Sequence, residues 1–198
     1  MIVDVFRAFT TAAFRIAAGA REIVLVNDHE QALAMKRADP RLFLCGEIDG
    51  RPIAGFDVGN SPSAIERLDL KDRRVVQRTS SGTQGVVAAT GADAIVLGSF
   101  VVAAATVRYL RERAQEVTIV AMGQNAQEDA DEDLACARYL AAALRGESLP
   151  SIEVALVERW PDWFPRRDAE LALEVDRFGF ALPVHRENGL LIARPAYV

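Results

Sequence analysis

Asp4 and Arg7 close a short apolar run, VDVFR, near the start of the chain. A carboxylate and a guanidinium at the carboxyl end of a strand stand where ligands bind in open α/β sheets. A local ion pair covering the strand end is an equal alternative. The pattern is not the two-aspartate motif of the large aspartyl-phosphate phosphatase class, since the position two after Asp4 is Phe6. A second pair, Glu47 and Asp57, lies within GEIDGRPIAGFDVGNSP. One acid directly follows an apolar strand, and the other sits in a glycine-flanked loop with Gly59, Asn60 and Ser61. Hard oxygen donors of this kind suit Mg²⁺, which keeps several waters for a phosphorylated partner. Loop aspartates also cap their own backbone, and by residue type alone that structural role is the commoner one.

The turn Arg78-Thr79-Ser80-Ser81-Gly82-Thr83 lies between an apolar strand and a helix. Hydroxyls and N–H groups at a helix N-terminus form an anion cradle. The glycine spacing and lysine of a Walker loop are absent. Glu128, Asp129, Asp131, Glu132 and Asp133 lead a later helix, where acids are favourable with the helix dipole whatever the function. His29 and His185 are isolated and read as a first-turn helix residue and a strand-end residue.

The elements that must position these groups alternate. A strand over Ile2 to Phe6 leads to an alanine-rich helix ending at Gly19. Glu22 to Val26 is a strand, and Asn27-Asp28-His29-Glu30 caps a helix that stops at Asp39-Pro40. Strands over Leu42 to Cys45, from Val75-Val76 to the Arg78 turn, over Ala94 to Leu97 and over Val117 to Ala121 alternate with a helix into which the apolar run Val86 to Ala89 continues and with helices over Val102 to Arg113 and Asp131 to Leu144. This rhythm predicts a three-layer α/β/α fold with a mostly parallel or mixed sheet. From Ser148 the text turns to proline and aromatics, with Trp160-Pro161 and Trp163-Phe164-Pro165, a helix over Arg167 to Val175, and a hairpin of Ala181 to His185 with Leu190 to Ala193 around Glu187-Asn188-Gly189. The expected organisation is a main body over 1–146 and a smaller C-terminal lobe or flap over 147–198.

A chain of 198 residues, 51% apolar, can bury one substantial core. Its net charge of −5, with basic residues scattered among acids, argues against nucleic acid as a partner. Arg15 and Arg21 interrupt the early alanine-rich segment, so no membrane span is expected, and without a basic region before it that segment is not a signal peptide. Cys45 and Cys136 read as buried free thiols. A cytoplasmic protein is the expectation, with apolar helix faces that serve equally as core or as a homodimer contact.

VDVFRAFTT, GEIDGRPIAGFDVGNSP, RTSSGT and LGSFVVAAAT resemble the 2-phosphosulfolactate phosphatase family in content, order and spacing, from about Ile2 to Leu144, with a looser echo at Asp176 and Pro183. The resemblance implies a three-layer α/β enzyme that hydrolyses a phosphate monoester with Mg²⁺. The family substrate is a sulfonated lactate phosphate on the route to coenzyme M. Carried over by position, it favours Asp4, Arg7, Thr10, Thr11, Glu47, Asp57, Gly59, Asn60, Ser61, Gly82 and Thr83, with Glu132 and Asp133 in a second tier. Asp4, Arg7 and Asp57 are then the catalytic candidates, and Glu47, Asp57 and Asp4 the metal ligands. Thr10, Thr11, Gly59, Asn60, Ser61, Arg78, Ser81, Gly82 and Thr83 become the binders of a small anionic phosphorylated substrate.

The chain also departs from the family pattern. Ile48 stands where the family usually has Arg, Ser81 where it has Asn, Phe9 where it has a small hydroxyl residue, and Val102 where it has Asn. A lost guanidinium fork removes bidentate anion recognition, which Arg78 could return from another strand. The competing expectation is a non-catalytic binder of a small phosphorylated or sulfonated metabolite.

Overall fold

A computed structural model of the chain describes residues 1–156 and 161–198. Trp160 of the aromatic tail lies outside the described residues. Its elements run β1 (Ile2–Val3), α1 (Ala8–Ala17), β2 (Glu22–Val26), α2 (His29–Ala38), β3 (Phe43–Ile48), β4 (Arg51–Pro52), α3 (Pro62–Ile65), β5 (Arg74–Arg78), α4 (Gly82–Ala88), β6 (Ile95–Gly98), α5 (Ala103–Arg113), β7 (Val120–Ala121), α6 (Asp131–Arg145), α7 (Arg166–Ala172), β8 (Phe180–Glu187), β9 (Leu190–Ala193) and β10 (Ala196–Tyr197).

The central strands are apolar on both faces, and the layers follow from that. In β2 all five residues are buried. Ile23 and Leu25 join the core that holds Phe9, Ala12 and Ala13 of α1, while Val24 and Val26 join the core that holds Ala32 of α2. In β1, Ile2 faces the α1 side and Val3 packs with Val107 of α5 and Leu140 of α6. A sheet covered by helices on both faces is the stable way to bury such runs. Asp28 caps α2 by accepting from the Glu30 N–H, and the helix ends at the residue before Asp39-Pro40, as its sequence requires. The β7 strand and α7 helix are shorter than the sequence suggests.

The ten-stranded sheet has the order β4-β3-β5-β2-β9-β8-β6-β1-β7, with β10 paired to β8. The strands β3, β5 and β2 are parallel to one another, as are β6, β1 and β7. The antiparallel hairpin β8–β9 lies between these two halves, pairing with β6 on one side and β2 on the other. The C-terminal strands β8, β9 and β10 are therefore part of the sheet. The cause is in β8 itself: Phe180 to Val184 are buried without alternation, as in a central strand. The turn is the expected one, with Asn188 and Gly189 both at positive φ, 51° and 77°.

The helix α4 packs against β2 in one half and β1 in the other, and residues that follow strands of both halves line one cavity. Among the described residues no helix is long and apolar enough to cross a membrane. Both cysteines are buried and free.

Candidate active site

At the strand ends of the two parallel halves, a cavity of about 390 Å³ opens. Asp4 follows β1, Glu47 is the penultimate residue of β3, Ser80 and Ser81 follow β5, and Gly123 to Asn125 follow β7. Trp163 and Phe164 form an aromatic wall. This is the crevice beyond the strand ends at which α/β sheets bind ligands.

Asp4 is 5% exposed, and its Oδ1 accepts the Ala8 N–H at 2.8 Å. Burial pushes its carboxyl up to about 7; the charges of Glu47 and Glu132 push the same way, while the Ala8 and Gly82 N–H groups oppose the shift. Gly82 is glycine for this reason: a Cβ there would sit 2.8 Å from Asp4 Oδ2 and 2.8 Å from the Ala8 Cβ. Behind Asp4, Asp133 accepts the Val5 N–H at 2.6 Å and the Gly123 N–H at 2.9 Å. Burial, then the Asp4 charge, raises its carboxyl to about 8. Glu132 lines the cavity, and burial raises its carboxyl too.

Glu47 is held on three sides. Its Oε2 accepts from the Gly50 N–H at 2.6 Å and the Ser80 hydroxyl at 3.1 Å, and its Oε1 accepts from the Ser80 N–H. A carboxylate has about four lone-pair positions, so one remains open. The β3–β4 turn, with Asp49 and Gly50 at positive φ, is thereby tied to the loop after β5.

Arg7 lines the cavity, but its charge is answered within the protein. Nη1 donates to Asp168 Oδ2 at 2.7 Å and to the Trp163 carbonyl at 3.1 Å, Nη2 donates to the Gly50 carbonyl at 3.3 Å, and the guanidinium lies 4.3 Å from the Phe164 ring centre. Asp168 is fully buried and also accepts from the Ser61 hydroxyl and the Ser63 N–H. Sequence reasoning missed Asp168, because an acid in the first turn of a helix after Pro-Arg-Arg is an ordinary pattern. The signal available was only that a buried Arg7 needs an anion.

Of the other expected site residues, Asn60 and Ser81 reach the cavity; the rest do not. Asp57 is turned away from it, accepting from Lys36 Nζ at 2.6 Å and from the Leu44 N–H at 2.7 Å, so this geometry does not join it to Glu47 and Asp4 as a ligand set. The Gly82 N–H is directed at Asp4, and Thr83 Oγ1 accepts the Thr79 N–H and donates to the Thr79 carbonyl; the expected phosphate cradle is a structural clamp. Arg78 donates to the carbonyls of Glu47 and Asn27 and does not return a charge to the cavity. Thr10 and Thr11 are buried in α1, where Thr11 donates to the Arg7 carbonyl. Ser61 caps α3, and the Gly59 carbonyl faces Arg15.

Among the described residues no three His, Cys, Asp or Glu side chains are grouped as a metal cage. Mg²⁺ does not need one, since it commonly takes one or two carboxylates and completes its shell with water and substrate oxygens. Asp4 and Glu132, cavity-lining and both destabilised as anions, are a donor set that a divalent cation would relieve. A pH dependence follows. Asp4 and Asp133 bind protons more tightly folded than unfolded, so their contribution to stability is full below about pH 4 and is lost as pH rises through 7 to 8. Thermal melts of metal-free protein are expected to fall between pH 5 and pH 8.5, with millimolar Mg²⁺ restoring more at the upper end. A metal-insensitive, flat profile would contradict the charge arrangement.

Residues 1–159 match the family described as 2-phosphosulpholactate phosphatase. The chain is 30% identical over 156 residues to a protein of Bacillus subtilis (strain 168) named probable 2-phosphosulfolactate phosphatase, covering 79% of this chain and 68% of that one. Likewise named proteins of Deinococcus radiodurans and Thermus thermophilus are 37% identical over 147 residues (72% and 61% covered) and 36% identical over 170 residues (82% and 70% covered). The chain spans about three fifths of the length of several curated relatives that it matches. With four fifths of its residues inside that match, the chain belongs to the 2-phosphosulpholactate phosphatase family.

Proposed function

We propose that the chain hydrolyses a small phosphate monoester in the Asp4 cavity, with Mg²⁺ as the cation. The observation that carries this reading is the buried Asp4 carboxyl, raised to about 7, facing a 390 Å³ crevice in a chain of this family. Asp4 and Glu132 are the residues that would hold the cation, with the open lone pair of Glu47 beside them. A bound divalent cation would supply the positive charge that phosphoryl oxygens require in the transition state.

The chain's own residues do the rest by positioning. Asp4, oriented by the Ala8 and Gly82 N–H groups, is the reactive carboxyl: it either attacks phosphorus as the ester P–O bond breaks and the alcohol leaves, with water then releasing phosphate from the aspartyl phosphate, or takes a proton from the water that displaces the alcohol. Ser81 offers a hydroxyl and Asn60 an amide to the phosphate oxygens. Arg7 and Asp168 hold the Trp163-Phe164 wall that limits water around the reacting group. A cytoplasmic setting and a step toward coenzyme M belong to the same proposal and rest on the family alone.

Colorimetric phosphate release from a broad set of small organic phosphates, with and without Mg²⁺, tests it. Metal-dependent release is expected, and no release from any ester would overturn it. Asp57→Asn is expected to leave turnover at the parent's level and to cost less than about 1 kcal/mol of stability, the scale of a part-exposed ion pair. One observation favours the reading as a binder without turnover: the guanidinium that lines the cavity is already paired with Asp168. Stabilisation by phosphate or sulfonates without any hydrolysis would decide for it.

A further inference from the structure

Arg15 is the largest fully buried side chain, yet among the described residues no carboxylate pairs with it. A guanidinium taken out of water without an anion is costly, and while Nε finds no partner among the described residues, acceptors do face its two Nη groups. They are amides and a carbonyl. Nη1 donates to Gln77 Oε1 at 2.7 Å, while Nη2 is shared between Asn60 Oδ1 at 3.4 Å and the Gly59 carbonyl at 3.5 Å. The Gln77 amide is itself oriented, because its Nε2 donates to the Ala8 carbonyl at 3.0 Å. The Ala8 N–H in turn fixes Asp4.

A guanidinium can only donate, so the Asn60 oxygen must face it. The Asn60 N–H₂ group therefore faces the other way, on a residue that lines the cavity. We propose that Arg15 is a positioning residue: by holding Asn60 Oδ1 it turns the Asn60 amide so that its N–H₂ donates to an oxyanion of the bound ligand. This rests on the phosphatase reading for the identity of that oxyanion, a phosphate oxygen. The same turn of α1 thus orients Asp4 directly and Asn60 through Gln77 and Arg15. A bare scaffold role for Arg15 would predict no such link.

The probe is inorganic phosphate with Mg²⁺, followed by calorimetric titration, beside thermal melts of each variant. Asn60→Asp gives Arg15 an anion and removes the donor from the cavity. It is expected to melt at or above the parent temperature while binding phosphate at least roughly 10- to 100-fold more weakly, the scale of a lost hydrogen bond to a charged group, to which the added carboxylate contributes repulsion. Arg15→Lys, which cannot reach two acceptors in the same plane, is expected to weaken phosphate binding in the parent background and to add nothing in an Asn60→Ala background. Should Arg15→Lys fail to fold, Asn60→Asp carries the test. Full phosphate affinity in Asn60→Asp, or losses in Arg15→Lys and Asn60→Ala that multiply, overturns the proposal. An active parent with fully binding Asn60→Asp sinks this inference alone. A parent that binds phosphate without hydrolysing any ester sinks the phosphatase reading alone, and a parent that neither binds phosphate nor hydrolyses any ester sinks both.

Discussion

Replacing Asp168 by Ala is expected to cost about 3–5 kcal/mol of stability, the range for stripping one partner from a buried pair. For a chain of this length that corresponds to a fall of about 6–20 °C in melting temperature. The Arg7 side chain is 4% exposed and that of Asp168 is 0%, at 2.7 Å, so the substitution leaves a buried cation without its anion. The Ser63 N–H and the Ser61 hydroxyl lose their acceptor in the same step. The sign separates this pair from a surface bridge, because the double variant Arg7→Met/Asp168→Leu removes both charges and is expected to recover most of the loss. Chemical denaturation of the single and double variants measures it. Equal losses in both would mean that packing on Phe164, and not the buried charge, dominates.

Asp4→Asn is expected to reduce phosphate release by about 10³-fold or more, within the range of a lost acid–base group and larger for a nucleophile. The same substitution should leave the fold intact and, above pH 7 without metal, raise the melting temperature. The asparagine oxygen still accepts the Ala8 N–H and the like-charge contacts with Glu47 and Glu132 disappear, a gain set against the acceptor that the Gly82 N–H loses. A stability gain joined to an activity loss is the mark of a group held in a strained electrostatic setting for its chemistry. Activity within tenfold of the parent would remove Asp4 from the reaction.

The layers were legible because a strand such as EIVLV, apolar at every position, has to be covered on both faces. The hairpin at Asn188-Gly189 was legible for the same local reason, but its place was not. Apolar periodicity says that β8 and β9 are buried, without saying that β2 and β6 are the edges that receive them. Within the site, Asp4 and Glu47 were readable as acids at strand ends. Asp57 and Thr83 drew attention through motifs whose polar atoms fold the loops themselves, through the Leu44 N–H and the Thr79 backbone. Conversely, Asp168 and Arg15 carry no local signature. One is an acid in a helix's first turn and the other a lone arginine among alanines, and only three-dimensional burial makes either conspicuous.

The central hairpin also sets the order in which the molecule can be assembled. As the chain leaves the ribosome, the β3-β5-β2 and β6-β1-β7 trios are complete long before Phe180 emerges. Until then β2 and β6 each present an unpaired, apolar edge, the kind of surface that templates aggregation. The hairpin made after both trios is the element through which they join in the sheet, and the crevice draws on both halves.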